Sequence, residues 1–198
     1  KQAALVSHTS SFGDVEIEAE LLVSELSREL GDVQGAPAAS DRALAASNPT
    51  VNAQVPARFR ADTLRSRGVL LRRVGRTREA VDAYVESIAI YRHAGAMRQE
   101  ARAKNALAFA MCVQGRYEDA IALALESIQI DLAIGGRFQL AKTLSNIGLS
   151  YSRLGDTTRA QAYLARAREA HERSGDQDGR ADTYIVGAEV ALAAGDVE

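Results

Sequence analysis

"AKTLSNIGLSYSRLGD", residues Ala141 to Asp156, decides the fold. Ala141, Leu144, Ile147, Gly148, Tyr151 and Leu154 recur at steps of three and four, the spacing of one buried stripe on an α-helix. Gly155 then ends the helix, because glycine takes the left-handed C-terminal conformation without a Cβ clash. The same word is spelled differently upstream. In "RADTLRSRGVLLRRVG", Arg60 to Gly75, the stripe is Ala61, Leu64, Gly68, Leu71 and Val74. Gly75, Gly115, Gly155 and Gly195 lie 40 residues apart, and other columns fall into register with them. One is Ala61, Ala101, Ala141 and Ala181; another is Gly68, Ala108, Gly148 and Ala188, always small. Ala80, Ala120 and Ala160 form a third, and Ser87, Ser127 and Ala167 a fourth. An internal repeat is therefore the first fact about the chain.

After each of these glycines a second helical stripe begins, for example Ala80, Ala83, Tyr84, Ser87, Ile88 and Tyr91, and stops near Gly95, Gly135 or Gly175. Each period is a helical hairpin. A hairpin this small cannot bury both of its apolar faces alone, so stacking on a neighbour is required, at about 1.5–3 kcal/mol for each large side chain fully buried. The small columns let helices approach where a larger side chain would overpack. Composition agrees. Of 198 residues 46% are hydrophobic but only 5% aromatic, with three prolines and no tryptophan, which favours helix over strand.

The spacing matches W-x2-L-G-x2-Y followed by A-x3-F. The third full hairpin fills those slots with Leu144, Ile147, Gly148, Tyr151, Ala160 and Leu164. The first has Leu64, Arg67, Gly68, Leu71, Ala80 and Tyr84, and the second Lys104, Leu107, Ala108, Met111, Ala120 and Ala124. The chain thus resembles the tetratricopeptide repeat family over Pro56 to Glu198. The period is 40 where the family's usual one is about 34, and Arg92, Leu132 and Glu172 stand where its proline is usual. Both departures suggest second helices longer by a turn or more. The longer form resembles kinesin light chains, spindle-orienting adaptors (to which "SNIGLSYSRLGD" is especially similar) and bacterial peptide-sensing regulators. The expected fold class is all-α, an alpha-alpha superhelix of antiparallel helical hairpins, in one array.

Full repeats are expected at 56–95, 96–135 and 136–175, with a half repeat at 176–198 whose partner helix belongs to a longer protein. A divergent hairpin is expected at 17–50. Its first helix, Ile17 to Asp32, is amphipathic, and a short second helix runs between Gly35 and Pro49, with Pro37 in its first turn.

Chemistry is sparse. There is no P-loop, GxGxxG, HExxH, GxSxG or paired-cysteine motif, so no catalytic residue, cofactor or metal site is expected. His8, His93 and His171 have no ligand partner at metal spacing, and His93 and His171 fall near second-helix ends, where a positive charge suits the dipole. The lone Cys112 reads as a packed or groove-lining thiol and suits a reducing compartment, so a cytoplasmic location is expected. A net charge of −2 gives no attraction to nucleic acid or anionic lipid, and no apolar run reaches the length of a membrane span.

The resemblance implies that first helices line a concave groove. Its candidate partner-binding residues are Arg65, Val69, Arg72, Arg102, Asn105, Phe109, Lys142, Asn146, Leu149 and Arg153. Across all the groove slots from Asp62 onward, six residues are basic and three acidic. That favours a peptide or protein segment with acidic side chains or a free carboxylate. The divergent hairpin's Glu18, Glu25 and Glu29, against Arg28, reduce the surplus. Asn105 and Asn146 suit an extended peptide backbone, and Phe109 and Leu149 suit apolar contact. Val69, Ala106 and Asn146 break the Lys and Asn set of the family's chaperone-tail clamp, so that partner is not expected. The reading is a non-catalytic binding scaffold. Its rivals are a sensor module of a larger signalling or transcription protein, and an oligomerisation scaffold forming a homodimer through the terminal hairpins.

Overall fold

A computed structural model describes residues 35–46, 56–135, 139–174 and 177–194. The expected helix Ile17 to Asp32, with Glu18, Glu25, Arg28 and Glu29, lies outside them, as do His8 and Gly195. Among the described residues there are eight helices and no strand: α1 (Gly35–Ala46), α2 (Ala57–Arg73), α3 (Thr77–His93), α4 (Met97–Val113), α5 (Tyr117–Ala133), α6 (Leu140–Arg153), α7 (Thr157–Ser174) and α8 (Gln177–Ala194). The helices pair as consecutive antiparallel hairpins, α2 with α3, α4 with α5 and α6 with α7. This is the all-α superhelical repeat fold.

The periodic glycines turn the chain as their spacing requires. Gly75, Gly115 and Gly155 each have φ of 80°. The next residue's amide reaches back to close the last turn: Arg76 to the Leu71 carbonyl, Arg116 to Met111 and Asp156 to Tyr151, at 2.8, 3.0 and 2.9 Å. Gly95 and Gly135, at 65° and 66°, end the second helices. The extra length of the period is not confined to those second helices: α2, α3, α4 and α5 are each 17 residues long.

The chain divides into two compact units after Ala96. In the first, α1 packs on α2 through the fully buried Ala39 and Ala43, and Arg67 Nε donates to Asp41 Oδ1 at 2.8 Å. In the second, α4 to α7 share one core built from Ala108, Ile121, Ala124, Ile128, Leu144, Ile147 and Ala167. The α8 helix closes a smaller core of Ala160, Leu164 and Val190.

Close approach at the small columns is literal. A Cβ on Gly68 would lie 2.6 Å from the Tyr84 ring, and one on Gly148 would lie 2.8 Å from Leu164 Cγ. The partner's size therefore follows the first helix's slot. Glycine faces Tyr84 or Leu164, while Ala108 shares its core with the smaller Ala124. Serines of the other small column tie backbones together. Ser127 Oγ in α5 donates to the Ala101 carbonyl in α4 at 2.8 Å.

Candidate functional site

In the second unit the first helices α4, α6 and α8 are direct neighbours, since α4 touches α6 and α6 touches α8. Their facing slots therefore share a surface. Asn105 and Asn146 meet there, with Asn146 Nδ2 donating to Asn105 Oδ1 at 2.8 Å. Asn105 is buried and Asn146 half-buried. One turn further along their helices Phe109 and Leu149 are half-buried, while Arg102, Lys142 and Arg153 are exposed. Arg153 Nη2 lies 3.6 Å from Glu189 Oε2 of α8. Ser145, one slot from Asn146, is buried and already engaged. Its Oγ contacts Thr183 Oγ1 at 2.7 Å and the Ala141 carbonyl at 3.1 Å. Cys112 is buried too.

Beneath the exposed cations lies a polar slot at the end of each second helix, occupied in turn by Tyr91, Asp131 and His171, all buried. His171, expected at a solvated helix end, is thus 3% exposed. In the second unit Asp131 Oδ2 is buried without a hydrogen-bond partner. Burial pushes the Asp131 carboxyl above its ordinary range, and the guanidinium groups of Arg98 and Arg102 offset part of that. Lys104 occupies a leucine slot, buried, with Nζ 2.7 Å from Glu126 Oε2 and 3.5 Å from Glu100 Oε1.

The first unit carries Arg65, Val69 and Arg72, all half-buried on α2. Tyr84, in α3, lies across Gly68, between the two arginines in sequence. Its ring is wholly buried, and its hydroxyl has no hydrogen-bond partner. Burial pushes that hydroxyl's pKa up, while Arg72 and Arg65 pull it down. One helical turn on, the Tyr91 hydroxyl donates to Asp62 Oδ1 at 2.6 Å. Burial, then the bonded carboxylate, raises the Tyr91 pKa as well. Asp62, expected to face a groove, is therefore engaged by its own hairpin.

The structure thus brings Asn105 to Asn146, and Phe109 and Leu149 to the same neighbouring helices. It sets Arg65 and Arg72 against Tyr84. Sequence reasoning gave Tyr84 and Lys104 only as repeat slots, and left Asp131 unremarked. Lys104 had a signal, a cation between Leu64 and Leu144 in one column. Tyr84 had none, because an aromatic residue is ordinary in its slot. A shallow cavity lies elsewhere, lined by α5 and the α6–α7 turn through Ile121, Leu125, Tyr151, Leu154 and Arg159. None of the ten candidate residues lines it. No described helix is long and apolar enough to cross a membrane.

Residues 99–173 match the sequence profile of the tetratricopeptide repeat family. No curated protein sequence matches the chain. Among solved structures, it is similar to BtubC (BKLC) from P. vanneervenii, with a TM-score of 0.78 and 22% identity, covering 98% of this chain and 79% of that one. It is also similar to a putative kinesin light chain from Podosopora anserina with nearly identical TPR-like repeats, with a TM-score of 0.70 and 16% identity over 91% and 87% of the two chains. A third is the Rap conjugation gene regulator of the plasmid pLS20 in complex with the Phr* peptide, with a TM-score of 0.67 and 16% identity over 89% and 53%. The chain spans about half the length of that regulator. At these identities the likeness is one of fold.

Proposed function

We propose, from the premise that residues 99–173 are tetratricopeptide repeats, that this chain is a non-catalytic scaffold holding an extended peptide or protein segment on the shared face of α4 and α6. The observation that carries the reading is the asparagine pair. Two side-chain amides held by one 2.8 Å hydrogen bond keep Asn105 Nδ2 and Asn146 Oδ1 as a donor and an acceptor for a backbone. Phe109 and Leu149 offer apolar contact beside them. Arg102 and Lys142 favour acidic side chains or a terminal carboxylate through charge-assisted hydrogen bonds. Rigid helices hold these groups in place, so little ordering entropy is lost on the protein side. A regulator of similar fold is held in complex with a peptide, which supports the choice of ligand. A cytoplasmic location, where such segments abound, goes with the reading.

The test is selection from a displayed random-peptide library by the wild type and by Asn105→Ala/Lys142→Ala/Asn146→Ala. Peptides enriched by the wild type are expected to lose at least tenfold in affinity for the triple variant. The same peptides binding both equally would overturn the reading.

A second reading is favoured by one observation. Tyr184, Ile185 and Leu192 on α8 are 52, 61 and 64% exposed, although the slot of Tyr184 is covered in every earlier hairpin. Pairing of two copies across α8 makes a homodimer, and sedimentation of the wild type against Ile185→Glu/Leu192→Glu checks it: dimer going to monomer is the supporting result.

A further inference from the structure

We propose that Arg65, Arg72 and the Tyr84 hydroxyl form a carboxylate-binding subsite in the first unit. The subsite takes an Asp or Glu side chain, or the C-terminus, of the bound peptide, and it rests on the peptide-binding reading above. Arg65 and Arg72 are seven residues apart, two turns, and so share one face of α2. Gly68 sits between them. Because Gly68 has no Cβ, the Tyr84 ring crosses the helix there, with ring carbons 2.6–2.8 Å from the place a Cβ would take. The hydroxyl is thereby buried near both guanidinium groups, and it has no hydrogen-bond partner.

A phenol in such a place lacks an acceptor, not a donor. Guanidinium N–H groups supply donors and accept nothing. The next tyrosine shows the completed arrangement, since Tyr91 gives its proton to Asp62 Oδ1 at 2.6 Å. No described residue does for Tyr84 what Asp62 does for Tyr91. A ligand carboxylate supplies that acceptor, taking the Tyr84 proton in a short hydrogen bond and guanidinium N–H groups on its remaining lone pairs. Each guanidinium has five N–H donors, so neither arginine has to be otherwise unengaged. Phosphate-sized ligands fit the charge but not a single buried hydroxyl beneath a glycine. The carboxylate is the smaller and planar match.

Tyr84→Phe isolates the hydroxyl. It keeps the ring against Gly68 and removes only a buried group without a partner, so the midpoint of thermal unfolding is expected to stay put or rise slightly. The probe is an array of N-acetylated hexapeptides, each made with a C-terminal carboxylate and as the carboxamide, and each Glu-containing member made again with Gln. The wild type is expected to prefer the carboxylate members of pairs. Tyr84→Phe loses that preference roughly tenfold, the worth of one hydrogen bond to a charged group, while carboxamide and Gln members bind as before. Arg65→Ala loses it also. The subsite is overturned if the wild type binds both members of every pair equally, if it binds none, or if Tyr84→Phe keeps the preference. Asn105→Ala/Asn146→Ala, in the other unit, separates the two ideas. If it leaves binding intact while Tyr84→Phe abolishes the carboxylate preference, the asparagine face is wrong and the subsite stands.

Discussion

Gly148 has no room for a methyl group. An alanine there brings Cβ to 2.8 Å from Leu164 Cγ and 3.2 Å from the Ala160 carbonyl oxygen, which is backbone and cannot swing aside. Alanine's better helix propensity is worth about 1 kcal/mol, and overpacking costs about 1–3 kcal/mol. We expect Gly148→Ala to destabilise in urea unfolding. Leu164→Ala alone costs about 2–5 kcal/mol. The double variant recreates the pairing of Ala108 with Ala124, so its cost falls short of the sum by about 1 kcal/mol or more. Additive costs would contradict the size matching. Asp131 is a second residue-scale test. Its pKa is raised in the folded state, so its folding contribution is favourable below the unfolded carboxylate pKa, about 3.9, and is lost as pH rises through the folded value. Asp131→Asn is therefore expected to raise the unfolding midpoint at pH 7 by roughly 2–4 °C, with the gain vanishing below about pH 4.

Within a hairpin, the repeat keeps a relationship and lets its chemistry change. At the entry to each second helix Arg76 pairs with Glu79 and Arg116 with Asp119, but Asp156 pairs with Arg159. The signs are exchanged and the pair survives. The exchange has a consequence for capping, because Asp156 Oδ1 also accepts the Arg159 amide at 2.9 Å, whereas Arg76 and Arg116 offer no side-chain cap. Lys104 is a bolder exchange. Hairpin three has Leu140 and Leu144 where hairpin two has Glu100 and Lys104. Removing the cation by Lys104→Ala leaves Glu100, 7% exposed, facing Glu126 without compensation. A loss of about 3 kcal/mol is expected. Glu100→Leu/Lys104→Leu, which copies hairpin three, recovers most of it, as chemical denaturation of the three proteins checks. These partners were not legible in the sequence. Lys104 and Glu126 stand 22 residues apart on antiparallel helices, and no periodicity says which side chains meet across a hairpin.

At the scale of the molecule the repeat explains what covers what. Each hairpin's core is closed by the next helix in line, and α8 does this for α7 through Val190. The α8 helix itself has no following helix among the described residues. Its small-column residue Ala188 is exposed, where Gly68, Ala108 and Gly148 are buried. Val190→Asp is accordingly expected to loosen α8 and uncover Leu164, lowering the midpoint of thermal unfolding by several degrees, while Ala188→Leu, in open space, leaves it unchanged.

The sequence by itself determined the helices, their glycine turns, the 40-residue hairpin and the need to stack, because these depend on 3.6-residue periodicity and on the φ a glycine alone takes easily. It also placed Asn105 and Asn146 in neighbouring slots. Only the tertiary structure decided which polar groups satisfy one another: Asn146 with Asn105, Tyr91 with Asp62, Ser145 with Thr183. It also decided which are left wanting, as the Tyr84 hydroxyl is. The reason is physical. A hydrogen bond is settled within a few tenths of an ångström between side chains brought from helices 22 to 41 residues apart, and that distance is set by the sizes of the small residues between them, which no pattern along one helix contains.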